Sequence, residues 1–556
     1  ARLASWSQPM RFFHPLFTKD SRYIITTAIG HISGITSDVI NIYDTKKETA
    51  ILQLHHAGTE QWTAVDHEGR FDTNSLERIQ GLQWVLPLKP FHALPIESFM
   101  RNYYEPGLLS RVVNGDELPP VDPLTSLNVE QPKVTIISIL PEPNGPDRVA
   151  LKLTVTRPAG ECHRPGGRMV PNEARDLQLF RNGQLVAYAP AQDGPLPFTQ
   201  GQTTWTHTFH DLRIPTGSGT TPVEFTAYAF NCDQVRSTLD SQTYTPTPSP
   251  SAALKGLAYV ILVGVNTFSN DLWNLTFSAN DAQAMQDILV PALKSSGRFR
   301  DVVPLRLTSL TASLSDTASV AAATKANIET ALARLAGKPV QAERLRAIPG
   351  VEQLAQAQPV DTVVLYFSTH GYRDSAGTFF LFPQDLGPGK TKDITENLLA
   401  HAISSTELSH WLRDVDAGEW ILLIDACNSA AAVQGSAFKP GPFGSRGLGQ
   451  LSYDKAMRVL AASQAEAQAR AHKLTQLGLL TYALLKEGLD RRAADFRPVD
   501  HTITVGEWLQ YGLHRVPKLT QELLDEPAIP HLLQHPALFD FSAKTHRPDQ
   551  ILMRLP

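Results

Sequence analysis

Hydrophobic positions follow two rhythms along this chain. In the first half they come in short runs, often alternating with polar residues. In the second half they come as unbroken blocks. Val149-Ala150-Leu151-Lys152-Leu153-Thr154-Val155 alternates, the pattern of a strand with one buried face. Leu257-Ala258-Tyr259-Val260-Ile261-Leu262-Val263-Gly264-Val265 is apolar throughout, the pattern of a strand buried on both faces. Between the two, Thr245-Pro246-Thr247-Pro248-Ser249-Pro250-Ser251 reads as a stiff, solvated linker.

The first rhythm predicts three pieces. Residues 1–75 read as short strands, among them Arg22–Thr27 and Val39–Asp44, divided by the mostly small and polar stretch Gly30–Ser37. Residues 76–130 read as a helical connecting region anchored by Phe91, Leu94, Phe99, Tyr103 and Tyr104, which Leu118–Pro123 brings to an end. Residues 131–247 read as a small β-sandwich of the immunoglobulin type, with strands at Val134–Leu140, Val149–Val155 and Val223–Phe230. Inside it Asn182-Gly183 separates two apolar runs, and that pair accepts the positive φ angles of a tight hairpin.

The second rhythm predicts an α/β domain over 256–556, after a Pro-rich linker at 248–255. Strands Val363–Phe367, Trp420–Ile424 and Val459–Ser463 follow the first one, with helices from about Asn280 and over Asn327–Ala336 between them. Strands alternating with helices make a mostly parallel sheet flanked by helices.

Composition narrows the function classes. At 556 residues the prior is three to four domains. The net charge of −5 argues against a nucleic-acid binder, which carries a concentrated basic surface. No run approaches the ~18 apolar residues of a membrane span, and the first residues lack the core of a signal peptide. Position 1 is Ala, which reads as a processed or truncated chain. The three cysteines, Cys162, Cys232 and Cys427, form no CxxC pair, so no metal site is expected. Cys162 and Cys232 could pair in principle, but scarce cysteine fits a reducing, cytoplasmic setting, where two unpaired thiols are the expectation.

The chemistry sits at two strand ends. In parallel sheets the working residues lie at the carboxyl ends of strands. One strand here ends in Phe367-Ser368-Thr369-His370-Gly371, another in Ile424-Asp425-Ala426-Cys427-Asn428-Ser429, with His370 and Cys427 57 positions apart. A thiol becomes a usable nucleophile when a neighbouring imidazole takes its proton. Taken singly, Cys427 is an ordinary small buried residue and His370 a satisfied core histidine. Together, at neighbouring strand ends, they make a dyad.

With these motifs in order, residues 256–556 resemble a caspase-like cysteine peptidase of the caspase–metacaspase group. Gly264-Val265-Asn266 with Leu275–Ala282 resembles the first strand and loop, and Tyr366–Gly371 the histidine motif. Phe380–Asp385 resembles the strand that follows, and Asp425–Ser429 the nucleophile motif. Ala461–Gln464 and Leu479–Leu484 resemble the small-subunit strand and helix. The first 250 residues resemble accessory regions of bacterial members. Phe17–Tyr23 with the apolar run ending at Asp44 is similar to one WD40-type propeller blade, a lone meander being the alternative. Asn428, Ala430 and Thr369 depart from the residues usual in the group.

The resemblance implies a cysteine endopeptidase without cofactor. His370 and Cys427 would be catalytic, and the backbone N–H groups of Gly371 and Cys427 would hold the oxyanion. Caspases that cut after Asp carry Gln two positions before the cysteine; Asp425 stands there instead. With Asp281 and Ser368 it would line a pocket for Arg or Lys at the residue preceding the cut. The other role for Asp281 is to cap the helix beginning near Ala282. The Gly- and Pro-rich stretch Ser436–Gly449 reads as a mobile loop with processing sites at Lys439 and Arg446, implying a latent form. Partners would be protein substrates and an activating protease or regulatory protein. The rival readings are a catalytically silent scaffold acting through its β modules and an α/β esterase. The latter is disfavoured because no G-x-S-x-G-like elbow surrounds Cys427.

Overall fold

Antiparallel strands fill the first part of the chain and mostly parallel ones the second. The computed structural model describes residues 11–32, 35–46, 50–57, 61–74, 82–86, 89–105, 107–115, 118, 120–145, 147–164, 168–215, 221–246, 255–309, 321–374, 378–387, 389, 391–427, 446–462, 471–472, 476–522, 534–545 and 547–555. Two compact units emerge, one of Ala1–Leu212 with Val223–Tyr244, the other of Arg213–Pro222 with Thr245–Pro556. Most of the Pro-rich linker lies outside the described residues. Among those described, no helix is long and apolar enough to cross a membrane.

The first unit opens with a six-stranded antiparallel sheet whose strands lie in chain order, from Arg11–Phe17 to Phe71–Thr73. A propeller blade has four strands. Gly30–Ser37, expected as a divider, is mostly strand: Tyr23–Ile32 and Ile35–Asp44 pair along their length, closing at Ile32 and Ile35. The β-branched Ile32, Ile35 and Thr36 outweigh the small polar residues among them. The expected helical region begins instead with a hairpin, Gln83–Leu86 with Lys89–Pro95, so Phe91 and Leu94 are strand residues. Pro87, Pro90 and Pro95 bar a helix there. Among the described residues of that region, only Met100–Tyr103 and Leu108–Asn114 are α-helical.

Two larger antiparallel sheets follow, beside the short pair Glu161–Arg164 with Arg168–Pro171. One holds Lys133–Pro141, Arg148–Thr156 and Thr204–Arg213; the other holds Arg175–Arg181, Gln184–Ala189, Val223–Phe230 and Asp240–Tyr244. Asn182 and Gly183 turn the hairpin with φ of 47° and 77°, as their sequence predicts. Cys162 and Cys232 are joined in a disulfide with Cα atoms 6.3 Å apart, which corrects the expectation of two free thiols. The fold brings together strand Glu161–Arg164 and the turn after Val223–Phe230, a proximity that 70 positions of separation conceal. The argument from scarce cysteine to a reducing compartment falls with it.

The second unit is built on an eight-stranded mixed sheet flanked by helices. Its strands are β1 (Leu257–Gly264), β2 (Asp301–Thr308), β3 (Thr362–Arg373), β4 (Phe379–Leu381), β5 (Ile403–Ser404), β6 (Glu419–Cys427), β7 (Arg458–Ala461) and β8 (Ala537–Asp540). The order is β2-β1-β3-β6-β7-β8, parallel except for β8, with β4 folded back antiparallel on β3 and paired to β5. Both faces are covered. Val363, Leu365 and Phe367 pack on one side, Val364 and Tyr366 on the other. The edge strand β2 contains Pro304, tolerated where one side of the ladder is unpaired.

Two helices matter for the site. α1 (Ser278–Ala284) starts two residues before the expected Asn280, because the Asn266 side-chain carbonyl accepts from the Ala279 N–H at 2.9 Å. α2 (Leu479–Tyr482) runs on through the wider turns of Ala483–Asp490 and packs on the Tyr366 face.

Candidate active site

β3 and β6 run side by side in register, and the register does the positioning. Ser368 is paired with Asp425, and two residues further His370 is paired with Cys427. Both pairs stand at the carboxyl end of the sheet, where the strands open toward their loops. Cys427 is the last residue of β6; Asn428 and Ala430 lie outside the described residues.

His370 is buried in an aromatic enclosure. Its ring stacks on Phe268 at 5.3 Å and meets the edges of Trp273 and Phe382. Its Nε2 lies 2.6 Å from the main-chain carbonyl oxygen of Trp273. A carbonyl only accepts, so Nε2 carries the hydrogen and the basic lone pair of the neutral ring is on Nδ1. Sequence reasoning missed Trp273, because a residue acting through its backbone leaves no signal in its side chain. Gly371 admits no side chain: a Cβ there would come within 2.8 Å of the Phe379 ring.

Asp281 from α1 and Asp425 from β6 meet beneath this level. Ser368 Oγ donates to Asp281 Oδ2 at 2.8 Å, and the Gly478 N–H donates to Asp281 Oδ1 at 2.8 Å. Thr481 Oγ1 donates to Asp425 Oδ2 at 2.8 Å. Asp281 therefore does not cap its helix. It lies inside the first turn, its carboxylate held by other elements. The fold thus gathers Asp281, Ser368 and Asp425, and adds Gly478 and Thr481, which the sequence did not mark as site residues. Their one signal is a glycine opening an apolar helical run, Leu477-Gly478-Leu479-Leu480-Thr481.

Both carboxylates are almost fully buried, and each disfavours charge on the other. Burial, and then the charge of Asp425, push Asp281 well above the usual carboxylate range. Burial raises Asp425 to about 6, against the hydrogen bonds from Thr481 that pull it down. Asp425 Oδ1 is buried with no hydrogen-bond partner among the described residues. A cation placed there would supply what both groups lack.

The described end of the expected processing loop is helical. Lys439 lies outside the described residues, while Arg446 opens a helix over Arg446–Asp454. Leu448 and Leu451 recur at helical spacing, and that periodicity prevails over Gly447 and Gly449.

The family model described as the caspase domain, Peptidase_C14, matches residues 256–486, which contain every site residue named above. A domain of this class supports a cysteine peptidase, a hydrolase acting on proteins. No curated protein matches the chain.

Proposed function

We propose that this chain is a cysteine endopeptidase of the caspase–metacaspase type that cuts proteins after Arg or Lys. The observation that carries the reading is the buried acid pair, Asp281 with Asp425, one step of the sheet below His370 and Cys427. A P1 guanidinium or ammonium would pair with the two carboxyl groups and give Asp425 Oδ1 its partner. An aspartate side chain in the same place would meet acidic groups and no cation.

The steps follow from the groups present. The Cys427 thiol passes its proton to His370 Nδ1, and the sulfur attacks the scissile carbonyl carbon. The developing oxyanion is held by the N–H groups of Gly371 and Cys427. His370 returns the proton to the leaving nitrogen, the C–N bond breaks, and a thioester remains. His370 then deprotonates water, which releases the acid and restores the thiol.

The test is cleavage of a peptide series varied only at P1, with Cys427→Ala as control. Cutting after Arg and Lys that vanishes in the control is expected. A preference for Asp would overturn the pocket assignment. No cleavage by folded wild-type protein would favour a catalytically silent scaffold.

A further inference from the structure

The two carboxylates of the pocket are anchored differently. Asp281 has both oxygens occupied, one by Gly478 and one by Ser368. Asp425 is held through Oδ2 alone, by the hydroxyl and, at 3.4 Å, the N–H of Thr481. Its Oδ1 is the acceptor left for a ligand. The orientation of one carboxylate, and so of the position open to a cation, depends on a single threonine.

That threonine is itself oriented. Tyr366 Oη lies 2.7 Å from Thr481 Oγ1, and both are buried. A hydroxyl has one hydrogen. Thr481 gives its own to the carboxylate, so Tyr366 must donate to Thr481. The result is a one-way relay from Tyr366 through Thr481 to Asp425, in which each bond strengthens the next. The groups facing Asp425 are then Asp281 from α1, Tyr366 and Ser368 from β3, and Gly478 and Thr481 beside and in α2.

Gly478 completes the wall. Its φ of −58° and ψ of 146° suit any residue. What excludes a side chain is the pocket: a Cβ would stand 2.4 Å from Asp425 Oδ2 and 3.2 Å from Asp281 Oδ2.

We propose that Tyr366, Thr481 and Gly478 are positioning residues for basic P1 specificity. The relay aims Asp425 Oδ1 at the substrate cation, and the missing side chain of Gly478 leaves both carboxylates room around it. The inference rests on the pocket receiving the P1 side chain. It adds that the selectivity is set by the segment carrying Gly478 and Thr481, well beyond the nucleophile in sequence.

The test compares Thr481→Val, Thr481→Ser, Tyr366→Phe and Gly478→Ala on a P1-Arg peptide. Alkylation of Cys427 by iodoacetamide, which does not use the pocket, is followed in parallel. Thr481→Val should lose roughly 10- to 100-fold in kcat/KM, mostly through KM. The acid limb of its pH profile should move upward by about one unit, because a bond to the charged carboxylate is gone. Thr481→Ser should restore both, Tyr366→Phe should shift the limb less, and Gly478→Ala should abolish cutting after Arg. Alkylation should stay at the wild-type rate throughout. Thr481→Val with unchanged KM and acid limb, or alkylation lost along with cleavage, would overturn the inference. Wild-type protein that does not cut after Arg or Lys would overturn the pocket reading and this inference together. Cutting by wild type with an unaffected Thr481→Val would overturn this inference alone.

Discussion

Ser368 and Asp425 stand opposite each other on β3 and β6, and the same register continues two residues on to His370 and Cys427. Two residues of strand span about 6.6 Å. The spacing between Asp425 and Cys427 is therefore fixed by the backbone ladder rather than by a loop.

The register implies that the pair at its end works as a unit. Cys427→Ala and His370→Ala should each reduce peptide cleavage by about 10³-fold or more, with effects far from additive in the double variant. Circular dichroism should show an unchanged fold. A folded Cys427→Ala protein with full turnover would remove Cys427 from the chemistry.

The acid pair should cost stability where it serves function. Asp425 has a pKa of about 6 against an ordinary 3.8, and Asp281 is raised as well. Folding thus takes up protons between those values, and the contribution of the pair to stability grows as pH falls from 6 toward 4. Asp281→Asn should raise the melting temperature at pH 7.5 by roughly 2–6 °C and flatten its pH dependence. The same variant should lose cleavage after Arg. A melting temperature lowered at pH 7.5 would contradict the assignment of the pair as electrostatically strained.

Substrate binding should release protons. A P1 cation favours the ionised form of both carboxylates, so a peptide aldehyde ending in Arg should expel a proton near pH 6, visible by calorimetry in buffers of different ionisation enthalpy. For the same reason kcat/KM on basic substrates should fall as pH drops below about 6. An aldehyde ending in norleucine should not expel this proton; proton release equal to that of the Arg aldehyde would rule out the pair as its source.

Latency is testable at the segment following Cys427. Lys439 precedes Pro440, which disfavours cutting at that bond, and Arg446 begins a helix, so the bond after it is not in an extended segment. Cleavage there should be slow and should accompany a rise in activity. The double variant Lys439→Gln, Arg446→Gln should stay uncut on a gel and remain at low activity. If it stays uncut and matches wild type, activation by cutting here is wrong.

The disulfide of the first unit should matter to that unit's stability. Cys162→Ser should cost about 2–5 kcal/mol, read by thermal unfolding with and without reductant. A wild-type melt indifferent to reductant would indicate that the bond contributes nothing.

The central strands of the peptidase sheet were legible because continuous apolar runs have few other homes. β1, β3 and β6 fall where Leu257, Val363 and Trp420 begin such runs. β2 was not, since Pro304 and Arg306 interrupt its pattern and only its edge position makes them acceptable. His370, Cys427 and Asp425 could be marked by residue type and strand-end position, whereas Asp281, which lies in α1, was marked only by the family resemblance. Gly478 and Thr481 could not: Gly478 reaches Asp281 across 197 positions, and neither residue type announces a pocket. The union of Cys162 with Cys232 was hidden in the same way, by contacts that exist only once the sheets have formed.

The carbonyl of Trp273 has an unusual standing in any mutational survey. Every one of the other nineteen amino acids at that position would still present a carbonyl. An alanine scan would therefore record the loss of an aromatic wall and pass over the acceptor that orients the imidazole. Only replacement of the backbone amide itself, as in a semisynthetic ester between residues 273 and 274 with its weaker carbonyl acceptor, would probe it. From the acceptor side, heritable variation can reach that hydrogen bond only by rerouting the loop.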